Sequence, residues 1–162
     1  MATYVGSATS QAAAVDKEYP VANGVTVSDG DFVFLTSGRV SNASIAASTN
    51  LLGVVHGGQA NDPSNVGQTL AATGVANGSV TVLVDMEPNA KYAIKVNNVT
   101  NTFSAAHVGQ YMNLTGATGA QVVDMASLSA AGGQVQCIGF AYKGDATVGL
   151  FIVSKGAYKK SA

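Results

Sequence analysis

The chain has 162 residues, of which 47% are hydrophobic and only 10% charged, with a formal net charge of −1. That length fits one domain or two very small ones, and the apolar fraction is enough for a core. One arginine and seven lysines are too few to displace counterions along a duplex, which argues against nucleic acid as a direct partner, and a single cysteine excludes an internal disulfide or a thiolate metal cluster.

The first 20 residues differ from the rest. Met-Ala-Thr-Tyr-Val-Gly-Ser has no basic segment followed by a long apolar one, so no secretory signal is read there. No stretch of the chain approaches the roughly 18 apolar residues of a membrane span. These features predict a protein made and kept in a cytoplasm, with no membrane partner. Ser7–Ala14 is small and polar with weak periodicity, which suits a short helix or an extended arm. We expect an N-terminal arm over residues 1–20. Tyr4, Val5, Tyr19 and Pro20 are its large apolar groups and its candidate contacts to a neighbouring subunit.

From Val21 onward the pattern is β. Asn23-Gly24 and Asp29-Gly30 are turn signals around Val25-Thr26-Val27, and Asp31–Leu35 follows as a strand. Thr36-Ser37-Gly38 turns into Arg39-Val40. Ser41–Asn50 reads as loop, Leu51–His56 as a buried strand, and Gln59–Val75 as a long connection. Val80, Val82 and Val84 alternate cleanly within Ser79–Asp85. Tyr92, Ile94 and Val96 alternate with Lys91 and Lys95, a pattern expected of an edge strand. Gln110–Leu114, Gln121–Asp124, Gln134–Tyr142 and Thr147–Val153 complete the set, with Ala126–Gly133 as a small-residue loop or helical turn. The fold expected is all-β: a small antiparallel barrel or sandwich of about ten short strands.

One pattern occurs twice. Gly30-Asp31-Phe32-Val33-Phe34-Leu35-Thr36-Ser37-Gly38 returns as Gly109-Gln110-Tyr111-Met112-Asn113-Leu114-Thr115-Gly116. Each copy precedes an apolar segment around a glycine, Leu51-Leu52-Gly53-Val54-Val55 and then Cys137-Ile138-Gly139-Phe140-Ala141. The two glycine pairs are separated by 23 and 30 residues, so either a diverged duplication or two similar β-corners fits. On the first reading the β-domain, 21–162, divides into subunits 21–85 and 86–155. The glycines within the second segments suggest bulges or tight bends.

Chemistry is sparse. His56 and His107 lack a ligand spacing such as His-x3-His, so no metal site is read. A nucleophile–base pair of Cys137 with a histidine has nothing to place it, and Cys137 fits a buried small hydrophobe. Asp29, Asp31, Asp62, Asp124 and Asp145 sit at turns, where aspartate is favoured. No glycine-rich phosphate cradle occurs, and no cofactor is implied. Asn-x-Ser/Thr sequences at Asn42, Asn77, Asn98 and Asn113 follow from an Asn/Ser/Thr-rich surface. No catalytic residue is nominated.

The layout resembles the decoration or cement proteins of tailed-bacteriophage heads. The matching elements are Gly24-Val25-Thr26-Val27-x-x-Gly30-Asp31, Leu51–Val55, Ser79–Asp85 followed by Pro88, Gly109–Leu114, Val122-Val123-Asp124 and Ile138-Gly139-Phe140. They span roughly residues 20–155. The resemblance implies a non-enzymatic virion protein on the capsid exterior, made in the host cytoplasm. It would bind the major capsid protein and itself, commonly as a trimer, and lock capsomers together. The low charge and the possible arm fit an interaction protein. Alternatives are a tail, baseplate or fibre-associated β-domain, a small β-rich hydrolase, or a ligand-binding module.

Overall fold

The computed structural model of the protein describes residues 2–7, 16–42, 50–55, 71–87, 90–97 and 102–154. Among them are thirteen strands and one single-turn 3-10 helix, Ala105–His107, so the chain is all-β as its alternation predicts. The loops expected at 41–50 and 59–75 fall largely outside the described residues.

Five strands form a first barrel: β2 (Asp16–Pro20), β4 (Phe32–Thr36), β5 (Arg39–Ser41), β6 (Gly53–Val55) and β8 (Thr81–Asp85). Their order is β2-β8-β6-β4-β5. Just past β2, Val21 bridges Val40 in parallel and Ala22 N–H donates to Val40 O at 2.9 Å, which closes the ring. A ribbon of β3 (Thr26–Ser28) and β7 (Ala71–Thr73) adds Val27 and Ala72 to the interior of this barrel. Five more strands form a second barrel: β9 (Ala90–Asn97), β10 (Tyr111–Thr115), β11 (Val122–Ser129), β12 (Val135–Phe140) and β13 (Val148–Val153). The order here is β9-β11-β10-β12-β13, and β13 pairs back onto β9. The remaining strand, β1 (Ala2–Ser7), lies antiparallel on β9.

The two barrels share one topology. In each, the first strand meets the third in parallel and every other neighbour is antiparallel. The registers agree residue by residue. Phe32 opposes Val54 as Tyr111 opposes Gln136, and Leu35 opposes Val40 as Leu114 opposes Val123. Val55 opposes Val84 as Cys137 opposes Phe151, and Tyr19 opposes Val82 as Ile94 opposes Gly149. The turn glycines before β4 and β10, Gly30 and Gly109, share a left-handed conformation with φ of 85° and 88°, which a side chain would penalise. Each donates to the copy-equivalent carbonyl, Val55 O or Cys137 O, at 2.8 Å.

The strands and their registers correct four expectations. Val55, not Gly53, stands where Cys137 stands, so Gly53 and Gly139 are not equivalent. Gly139 follows a register irregularity in β12, whereas the partner of Gly53 in the second copy is Val135. The boundary expected at residue 20 falls at the end of β2, the first strand of the first copy. And β9 is no edge strand: β1, β11 and β13 all pair with it. Its alternating lysines mark the outside of a barrel rather than an edge, because period-two patterning reports faces and is blind to neighbours. The loop or turn expected at 126–133 is instead strand as far as Ser129.

The central inward-facing positions are apolar in both copies. Val21, Val33, Val40, Val55 and Val84 in the first correspond to Val96, Met112, Val123, Cys137 and Phe151 in the second, and all are buried. Phe32, Leu51 and Val54 break the division. They belong to the first barrel but point out of it and join the buried cluster of the second. Phe32 packs edge-to-face on Tyr92, with ring centroids 5.3 Å apart. Full burial of such a ring is worth about 1.5–3 kcal/mol, so this contact couples the barrels strongly.

Candidate functional site

The densest polar arrangement lies at the seam between the barrels. It begins at the Asp29-Gly30 turn, which places Asp31 at the entrance of β4. The Asp31 carboxylate is fully buried. Its Oδ2 accepts Ser28 N–H and Asn42 Nδ2, and its Oδ1 accepts Gly119 N–H, each at 2.8 Å. Asn42 also donates to Thr118 Oγ1 at 3.1 Å, and that hydroxyl donates to Thr26 O at 2.9 Å. Beside this network, Gln121 clamps one residue of the first barrel by both main-chain groups. Phe32 N–H donates to Gln121 Oε1 at 2.6 Å, and Gln121 Nε2 donates to Phe32 O at 3.0 Å.

Thr118, Gly119 and Gln121 share one origin. In the first copy the β4–β5 hairpin closes with two residues between Thr36 and its partner Arg39. In the second copy six residues, Gly116–Gln121, lie between Thr115 and its partner Val122. The second turn is therefore four residues longer, and three of its residues reach across to the first barrel. It acts as a clasp. An open groove of about 550 Å³ runs along the same seam, lined by Gly24, Val25, Thr26, Asn42 and Gly116–Thr118.

The chemistry of this seam is structural. Three N–H donors converge on a carboxylate with no exposed surface and satisfy it from within the seam. Gln121 and Asp31 are the residues that sequence reading missed. A signal was present: once the two Thr-ended strands are aligned, the extra length of the second turn stands out.

The other candidates lie apart. Cys137 is buried, its thiol donates to Gly139 O at 3.7 Å, and burial raises its pKa above the ordinary 9.0. No hydrogen bond joins it to His107. That histidine accepts Ser104 N–H on Nδ1 at 3.0 Å and stacks on Phe103, so it caps the 3-10 turn. His56, Asp62 and the lysines at 155, 159 and 160 lie outside the described residues. Among the described residues no group of three or more His, Cys, Asp or Glu could hold a metal ion, and no helix is long and apolar enough to cross a membrane. Asp145 accepts Thr147 N–H and Oγ1, and the hydroxyl bond and then the amide bond lower its pKa. Arg39 donates to Val75 O and Ala76 O, fastening the chain after β7 to β5.

The arm residues divide. Tyr4 pairs in register with Tyr92, and the register shifts between Tyr4 and Gly6, where Val5 sits. Tyr19 lies in the core of the first barrel and is only 8% exposed. Its hydroxyl donates to Met86 Sδ at 3.5 Å, and the Lys17 ammonium lies 5.4 Å from its ring centroid. Pro20, half-buried, closes β2 opposite Thr81.

No family model, curated protein or solved structure matches this chain.

Proposed function

We propose that the chain is a non-enzymatic virion protein, a decoration or cement protein that binds the outer surface of a phage capsid and bridges capsomers. The observation that carries this reading is the pair of equivalent barrels held in fixed relation by a buried clasp. A protein that ties neighbouring capsomers together needs two contact surfaces at a set spacing on a stiff body, and two clasped barrels supply them. The uncharged polar surface suits extended contact with other protein. The sequence resemblance points the same way. The partners in this reading are the major capsid protein and further copies of the chain, with a trimer favoured. Each bridging contact of standard size buries about 1,200–2,000 Å², and repetition over a shell adds resistance to internal pressure without any chemical step.

The test is made on purified genome-filled particles. Mass spectrometry is expected to find the chain in stoichiometric amounts, and labelled copies are expected on the head. Particles stripped of the chain should rupture at a lower temperature and recover when it is added back. Absence from filled particles, or labelling confined to the tail, would overturn the reading.

A further inference from the structure

The contact between the two barrels joins unlike faces of like units. The first barrel presents the outward face of β4 and β6, with Phe32, Leu51 and Val54. The second receives them with Tyr92 and the clasp turn. By register, Phe32 corresponds to Tyr111 and Val54 to Gln136, while Tyr92 corresponds to Lys17, the residue opposite Val84 as Tyr92 is opposite Phe151. Donor face and receiver face are therefore different surfaces of the same unit. A heterologous contact of this kind uses one face from each unit, and repeating it joins chains into a ring or an open array.

Both remaining faces carry features of a contact surface. On the second barrel, Tyr111 and Gln136 point outward and are partly exposed. Beside them Ile138, Leu150 and Ile152 also point outward, partly exposed and outside both buried clusters, with Ile152 directly opposite Gln136. On the first barrel, Lys17 is exposed over the Tyr19 ring, and the short Ser37–Gly38 turn stands where the second copy carries its clasp.

We propose that this outward face of β10, β12 and β13 docks on the Lys17 end of the first barrel of a second copy, repeating the internal contact head to tail. The occupant follows from the duplication: within the chain, the same face of one unit already buries the corresponding end of the other. The aromatic of the donor face is retained as Tyr111. Its ring would meet a lysine ammonium in place of the Tyr92 ring, exchanging an edge-to-face pair for a cation–π pair. The aliphatic centre shifts to Ile138 further along β12 and to Leu150 and Ile152 on the neighbouring β13. A tyrosine with a polar rim suits chains that fold before they meet, and an interface lacking the clasp is weaker than the internal one. Three copies joined this way would present six barrels.

The inference deepens the self-association within the proposed function and is independent of capsid binding. Its test is sedimentation velocity of the full chain over a wide concentration range. The mass is expected to rise from 16.2 kDa to a small closed multiple, or to grow without limit if the ring does not close. Two variants each disable one face: Ile152→Asp the donor and Lys17→Asp the receiver. Thermal melts confirm that both fold. Each alone should weaken association at least tenfold. Mixed, they should form a one-to-one dimer and stop there, since the mixture holds one intact donor face and one intact receiver face. A chain that stays monomeric at every concentration overturns the proposal, as does an Ile152→Asp variant that assembles like the parent. Neither result would bear on whether the chain is found on capsids.

Discussion

Replacing Asp31 by alanine removes the acceptor on which three N–H groups converge, two from the first barrel and one, Gly119, from the second. Hydrogen bonds to a charged group contribute about 1.5–3 kcal/mol each, and a buried donor left without a partner costs about 1–3 kcal/mol. The full sum overstates the loss. Ser28 N–H and Gly119 N–H are only part-buried and can recover water, and Asn42 retains Thr118 Oγ1. We expect a net loss of about 3–4 kcal/mol, at the top of the range for a single substitution. At about 2–4 °C per kcal/mol for a chain of this size, the midpoint falls by about 6–16 °C. Because one of the three bonds crosses the seam, cooperativity should fall too, with a smaller urea m-value or two resolved transitions. The control is built into the protein. Gln110 occupies the same place in the second copy, partly exposed and bonded only weakly to Ala106 O at 3.4 Å, so Gln110→Ala should stay within about 0.5 kcal/mol. Circular dichroism during urea unfolding reads both. A loss below about 1 kcal/mol for Asp31→Ala, or equal losses at the two positions, would refute the assignment of Asp31 as the anchor of the clasp.

The remaining predictions use the copies as each other's controls. A Cβ on Gly149 would lie 2.4 Å from the Phe151 ring, whereas the first barrel has Val82 and Val84 at these two places. Gly149→Val should therefore cost about 1–3 kcal/mol by overpacking, and adding Phe151→Val should recover part of that loss in a double-mutant cycle; simple additivity would count against the volume exchange. Burial makes the Cys137 thiol hold its proton more tightly in the folded chain. Its contribution to stability is thus complete below the ordinary pKa of 9.0 and is lost as pH rises through and above it. Cys137→Val, which installs the residue found at Val55, should flatten the fall in melting temperature between about pH 8 and 11, and an unchanged profile would contradict the burial. Deleting residues 1–7 removes β1 but leaves β9 paired with both β11 and β13. The shortened chain should still unfold cooperatively, with faster hydrogen exchange at Ala90–Ile94, and failure to fold would make β1 integral to the barrel.

Legibility followed range. Strands whose inward positions are large and aliphatic, such as Thr81–Asp85 and Tyr111–Thr115, were visible because alternation is a local signal. Ala71–Thr73 and Ala126–Ser129 were not, because small residues carry little period-two contrast and are strands only through the pairing they receive. Asp16–Pro20 looked like part of an arm because it presents only one large apolar residue, Tyr19, to the core. The duplication was legible at the turn glycines and lost at the second segment. There the glycine spacing pairs Gly53 with Gly139, while hydrogen bonding pairs Val55 with Cys137. Within the site, the turn carrying the clasp was legible, but its function was not. Gln121 bonds to a residue 89 positions away, and no local pattern encodes such a partner.

The way the copies diverge separates packing from contact. Central inward positions changed among apolar residues, Val33 to Met112 and Val84 to Phe151, because a closed barrel of five strands tolerates volume exchange and rejects polarity. Outward positions changed in kind. Phe32 stands against Tyr111 and Val54 against Gln136, and at each the first copy holds the more apolar residue. That difference tracks occupancy: the first copy's donor face is buried against the second barrel, and the second copy's is partly exposed. If solvent alone faced the second copy, its outward β12–β13 surface would be expected to turn polar throughout. It turns polar at Gln136 and stays aliphatic at Ile138, Leu150 and Ile152, a mixed surface of the kind found where separately folded chains meet. The same rule that identifies the internal seam therefore marks the outer face of the second barrel as the next place to look for a neighbour.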